Sequence, residues 1–125
     1  MNKLVVPLLL SLLLLAGGAC KSAGMTPTMR AEIQTTIESA RPAIQACYQR
    51  SVTTNRKLRG MMVATFSAAA DTGKFQEITL RRDEPNDPVL RFCVVAEIAK
   101  LGLAKPPGAR VVIDSYPIKF DWTNP

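Results

Sequence analysis

Residues 58–82 read LRGMMVATFSAAADTGKFQEITLRR. Along the first half of this stretch Met62, Ala64, Phe66 and Ala68 share one face of an extended chain, and Met61, Val63, Thr65 and Ser67 share the other. A period of two is the signature of a strand, here over residues 58–69. Asp71-Thr72-Gly73-Lys74 is a turn, with Gly73 free to take a positive φ. Residues 75–82 return as a second strand with Phe75, Ile78 and Leu80 apolar. The phase slips between Phe75 and Ile78, which predicts a β-bulge.

The hairpin is flanked by helices. Upstream, residues 26–54 carry apolar side chains at Met29, Ile33, Ile37, Ala40, Ile44, Cys47 and Tyr48. Steps of three and four keep these on one helical stripe. Thr26 or Thr28 can cap the start, and Pro42 should kink the helix or divide it in two. Downstream, Asp87-Pro88 is a helix start, a capping carboxylate followed by proline at the first helical position. The helix expected over residues 89–101 is apolar around more than half its circumference, and Gly102 can end it. Lys105-Pro106-Pro107-Gly108 is a rigid connector. Residues 111–120 form the last strand, with Val112, Tyr116, Ile118 and Phe120 read in phase and Pro117 marking a sheet edge. The order α-β-β-α-β gives an α+β fold. Its sheet is three-stranded and antiparallel, in strand order 2-1-3, with two helices on one face.

The 125 residues suffice for one such domain. The apolar fraction of 47% is raised by residues 4–15, apolar except Pro7 and Ser11. That run is too short to span a bilayer, which takes about 20 residues. Preceded by Asn2 and Lys3 and followed by Ala16, Gly17, Gly18 and Ala19, it reads as a secretory signal peptide, residues 1–19. The cut falls before Cys20 for either peptidase. The general signal peptidase suits the small residues at Gly17 and Ala19. A small-residue run ending at cysteine resembles a bacterial lipobox, which would make Cys20 the lipidated residue and anchor the chain to a membrane. Residues 20–27 then form a tether and residues 28–123 the domain. Lys21 favours outer-membrane sorting, facing periplasm or cell surface. Cleavage removes Lys3 and lowers the formal charge of +6 by one. Such a balance admits anionic lipid or peptidoglycan, and export argues against nucleic acid.

Three cysteines in an exported chain call for an explanation. Lipidation takes Cys20. The simplest use of Cys47 and Cys93 in an oxidising compartment is a disulfide between the two helices, the alternative being two buried free thiols.

The chain has no histidine, which excludes a Ser-His-Asp triad, a Cys-His pair and a His-ligated metal. Asp71-Thr72-Gly73 matches the D-T-G of aspartic proteases, in which two such aspartates share a proton and activate water. Here it follows Ala68-Ala69-Ala70 and precedes Lys74, and nothing downstream matches a flap, so the turn reading stands ahead of a dimeric protease. No catalytic residue, metal or cofactor is expected. A purely structural lipoprotein is the third reading.

The elements also resemble a known family. Ile44-Gln45-Ala46-Cys47-Tyr48 ends the first helix, and Leu58-Arg59-Gly60 opens a strand whose alternation closes at Phe66. Asp71 and Gly73 turn, Asp87, Val89 and Cys93 open a second helix, and Tyr116-Pro117-Ile118-Lys119-Phe120 closes the chain. This pattern resembles the AgmX/PglI C-terminal type of domain, a TonB C-terminal-like module of myxobacterial-type envelope proteins. The family's aromatic-Pro pair after the second helix is replaced here by Leu103-Ala104-Lys105-Pro106. The resemblance implies a TonB-like fold and a non-catalytic binding role in the envelope. Geometry points the same way, because a three-stranded sheet keeps two edges with unpaired backbone groups. The edge expected to accept an extended segment of another envelope protein is Val111, Val112, Ile113, Asp114, Ser115 and Tyr116. Flanking Arg110 and Lys119 favour an acidic or neutral partner.

Overall fold

The computed structural model describes residues 24–121. The signal peptide, Cys20, the first part of the tether and Trp122 lie outside the described residues. Six elements follow in order: α1 (Pro27–Ser39), α2 (Arg41–Thr54), β1 (Gly60–Ala68), β2 (Phe75–Asp83), α3 (Pro88–Ala99) and β3 (Val111–Phe120). The sheet is antiparallel in the order β2-β1-β3, so the α+β architecture and strand order read from the sequence are those observed.

Three helices stand where two were expected, because Pro42 divides the first rather than kinking it. Proline at position 42 has no N–H for the carbonyl of Glu38, and its ring would crowd that carbonyl. The chain answers at Ala40, whose N–H turns to Ile37 at 3.0 Å, and α2 restarts with Pro42 in its first turn. The inward stripe survives the break: Ile33, Ile37, Ala40, Ile44, Cys47 and Tyr48 are all buried. Thr26 caps α1, its Oγ1 accepting from the Met29 N–H at 3.2 Å, with Pro27 at the first helical position. Asp87 caps α3 in the same way, accepting from Leu90 at 2.7 Å. That helix ends at Ala99, before Gly102. Gly102 instead pairs with Lys74, where a Cβ would stand 3.0 Å from the Gly73 carbonyl oxygen.

Beneath the helices lie Met62, Ala64, Phe66 and Ala68 of β1 and Phe75 of β2, packed against Leu90, Val94 and Ile98 of α3. Tyr48 packs on Phe120 with ring centroids 5.2 Å apart and donates its hydroxyl to the Leu58 carbonyl at 2.6 Å. The Cys47 and Cys93 sulfurs are 2.06 Å apart, a disulfide that ties α2 to α3.

Both outer strands carry extra residues relative to β1. On β2, Thr65 faces Thr79 while Ser67 faces Gln76, so three steps oppose two. The surplus residue falls beside Glu77, which takes φ +55°, and this is the bulge expected from the phase slip. A second shift sits at Arg81. On β3, Ala64 faces Tyr116 but Phe66 faces Ile113. The bulge at Asp114 and Ser115 reverses the alternation, and this corrects the phase read for the last strand. Val111 and Ile113 point inward before the bulge, Tyr116, Ile118 and Phe120 after it, and Val112 is 42% exposed on the opposite face.

Candidate functional site: the free edge of β3 and its groove

β1 is central, so β3 is an edge strand. Which of its backbone groups are free follows from the alternation of an antiparallel ladder. Met61 turns both its N–H and its C=O away from β3: the N–H donates to Glu84 Oε2 at 2.6 Å and the C=O accepts from the Glu84 N–H at 3.1 Å. Val63 follows two residues on, so its partner Pro117 stands in a pair without ladder bonds and directs its nitrogen to the open side. Proline is tolerated there because no donor is required. By the same alternation Lys119 and Val112 turn their N–H groups outward. Tyr116, Ile113 and Val111, opposite Ala64, Phe66 and Ala68, turn theirs toward β1.

The six expected edge residues are therefore not equivalent. Val111 and Ile113 are buried and committed to the ladder, and Val112 offers both side chain and N–H. Asp114 and Ser115 form the bulge. The Asp114 carbonyl is already taken, accepting from Thr65 Oγ1 at 2.8 Å and Arg81 Nη1 at 3.3 Å. Tyr116 begins a second run of free edge, past the bulge.

That second run borders a groove. Between the α1–α2 break and β3 lies a cavity of about 570 Å³, with Ile37, Pro42 and Ile44 on one wall and Tyr116, Ile118 and Phe120 on the other. Polar groups stand at its rim. Arg41 donates Nε and Nη2 to the two carboxylate oxygens of Glu38, each at 2.7 Å. These hydrogen bonds from Arg41 hold the Glu38 carboxyl below its ordinary range; burial opposes them, and the Arg41 charge and a hydrogen bond from Tyr116 add smaller lowering effects. Burial, and then the Glu38 charge, push the Tyr116 phenol up. The same phenol is hydrogen-bonded to the Glu38 carboxylate, so Tyr116, Glu38 and Arg41 form one polar rim, and Lys119 adds a cation at the far end of the strand.

Glu38, Arg41 and Ile118 were not among the site residues expected from the sequence, and Lys119 was read only as a cation flanking the edge. The signal was Pro42: a helix divided there opens a gap, and the side chains around the gap face the strand beneath. Asp71, the other candidate considered, sits exposed at the tip of the β1–β2 turn. There the Gly73 N–H closes on the Ala69 carbonyl at 2.8 Å with φ +74° at the glycine. Among the described residues no group of three or more His, Cys, Asp or Glu could hold a metal ion, and no helix is long and apolar enough to cross a membrane. No protein-family model, curated protein or solved structure matches the chain.

Proposed function

We propose that this is a non-catalytic lipoprotein of the cell envelope that binds an extended segment of another envelope protein along the free edge of β3. One observation carries the reading: the outward backbone of β3 past its bulge runs beside an apolar groove with polar groups at the rim. An added strand would take main-chain hydrogen bonds from the edge and seat alternate side chains in the groove. The signal-like N-terminus supports export, Cys20 supports lipid anchoring, and the TonB-like resemblance supports the edge-strand mode.

The test separates backbone from side chain. A photo-crosslinking residue is placed at Val112 or Lys119 in native envelopes, and the captured segment is identified and synthesised. Its affinity is then compared for wild type, Lys119→Ala and Lys119→Pro, and for the same pair at Val112. One backbone hydrogen bond contributes about 0.5–1.5 kcal/mol net, so each proline should weaken binding about three- to tenfold beyond its alanine counterpart. Equal affinities for the proline and alanine forms, in folded protein, would refute edge pairing.

A further inference from the structure

The disulfide between α2 and α3 is not sealed in the core. Cys47 is 1% exposed, but Cys93 is half-buried, and both line a cavity of about 430 Å³ between the two helices. α3 also surrounds Cys93 with apolar side chains that the core does not use. Val89 and Phe92 are 70% and 78% exposed, and they line the same cavity with Ala96. Positions 89, 92, 93 and 96 lie at helical spacing, so Cys93 sits within an exposed apolar strip. Packing inside the domain does not account for that strip, whereas the surface of a partner would.

A cation is set against the same bridge. Arg50, one turn beyond Cys47 on α2, brings Nη2 to 2.9 Å from Cys93 Sγ and 3.9 Å from Cys47 Sγ. It is in no ion pair among the described residues. The two carboxylates that line the cavity are turned to other groups, Asp87 to the Leu90 N–H at 2.7 Å and Glu97 to Lys100 Nζ at 2.8 Å. A guanidinium does little for a resting disulfide, but it stabilises a thiolate and the negative charge that spreads over the sulfurs during exchange. Access decides which sulfur is attacked, and exposed bridges are the ones that exchange.

We propose that the Cys47–Cys93 bridge is a redox-exchange site, that its substrate is the dithiol of a protein oxidoreductase, and that Cys93 is the sulfur attacked. The incoming thiolate bonds to Cys93 Sγ. The bond between the two cysteines breaks, and its electron pair leaves on Cys47 Sγ, within reach of Arg50. The partner's second thiol gives up its proton, attacks its own sulfur in the mixed disulfide, and releases Cys93 as a thiolate beside the same guanidinium. The cysteine pair gains two electrons and two protons, and the dithiol that supplies them becomes a disulfide. Val89 and Phe92 seat the apolar surface around the partner's dithiol.

The experiment uses the full chain with Cys20→Ser, which leaves the bridge as the one cysteine pair. Two reductants are applied to folded protein, dithiothreitol and thioredoxin. Thioredoxin with serine in place of its second active-site cysteine halts the reaction at the mixed disulfide. After an acid quench, peptide mapping should find that adduct on Cys93. With dithiothreitol the rate of reduction should rise in proportion to reductant. It should fall about tenfold in Arg50→Gln, and Arg50→Lys should restore most of it. Phe92→Ser should slow reduction by intact thioredoxin about fivefold or more and leave the dithiothreitol rate unchanged. Melting scans of the oxidised variants verify folding. A rate independent of reductant concentration, which marks reduction through unfolding alone, would overturn the proposal. So would an adduct on Cys47, no adduct, or a rate unchanged in Arg50→Gln. A thioredoxin rate unchanged in Phe92→Ser would overturn the protein dithiol as the substrate. Failure here leaves the β3 reading standing, since that is scored at Val112 and Lys119.

Discussion

Gly60 shows how much one residue can decide. It opens β1 at φ +129°, and a Cβ there would lie 2.6 Å from the Cβ of Glu84, whose carboxylate and N–H clasp Met61. Gly60→Ala should destabilise the domain by about 1–3 kcal/mol from backbone strain alone, with the clash added, as a lowered urea midpoint will show. Titration acts at the same scale. Glu38, Glu77 and Glu84 all have carboxyl pKa values lowered in the folded chain. The leading causes are hydrogen bonds from Arg41 to Glu38, from Ser67 to Glu77 and from the Met61 backbone to Glu84. A lowered folded value means that the unfolded chain binds more protons over the acid range. The contribution is therefore complete above the ordinary value of 4.5 and is lost as pH falls through the folded values. Tyr48 works in the opposite direction: burial raises its phenol above 10.0, so stability declines as pH rises past that value. A melting profile against pH should fall at both ends, and Tyr48→Phe should remove the phenol's part of the alkaline limb.

Among the elements, the disulfide between α2 and α3 is the main covalent constraint, joining positions 46 residues apart. Reduction should cost about 2–4 kcal/mol and lower the melting temperature by about 10 °C or more, read by comparing scans with and without reductant. The sequence was legible where local chemistry decides: the Thr26 and Asp87 caps, the break at Pro42, the Gly73 turn and the slip before Ile78. It misled where the partner strand decides. Val111, Val112 and Ile113 are all apolar, so nothing in their own order says which two face inward. The bulge at Asp114 and Ser115 sets that, and it exists only in register with Ala64 and Phe66. The groove beside β3 was illegible for a related reason, because it is a gap between elements far apart in the chain. Val89 and Phe92 were read as part of a broad apolar face of α3; that the face divides into a buried and an exposed stripe depends on how the helix sits on the sheet.

For the molecule as a whole, attachment comes first. If Cys20 carries lipid, a fatty-acid label will follow the wild-type chain and vanish in Cys20→Ser, while a label retained by the serine form would exclude that anchor. The sheet's connectivity then bears on time rather than place. β1 and β2 are joined by a six-residue turn, whereas β1 meets β3 across pairs such as Gly60 with Phe120. Local contacts form fast and distant ones late, because closing a long loop costs entropy before any pairing repays it. A folding chain should therefore zip its hairpin early and seat β3 last. During that interval the inner flank of β1, which β3 later covers, stands open as a template for any extended neighbour. The strand proposed to receive a partner is thus also the one that shuts the nascent sheet against promiscuous pairing, and a chain truncated before Val111 would emerge with β1 permanently unshielded.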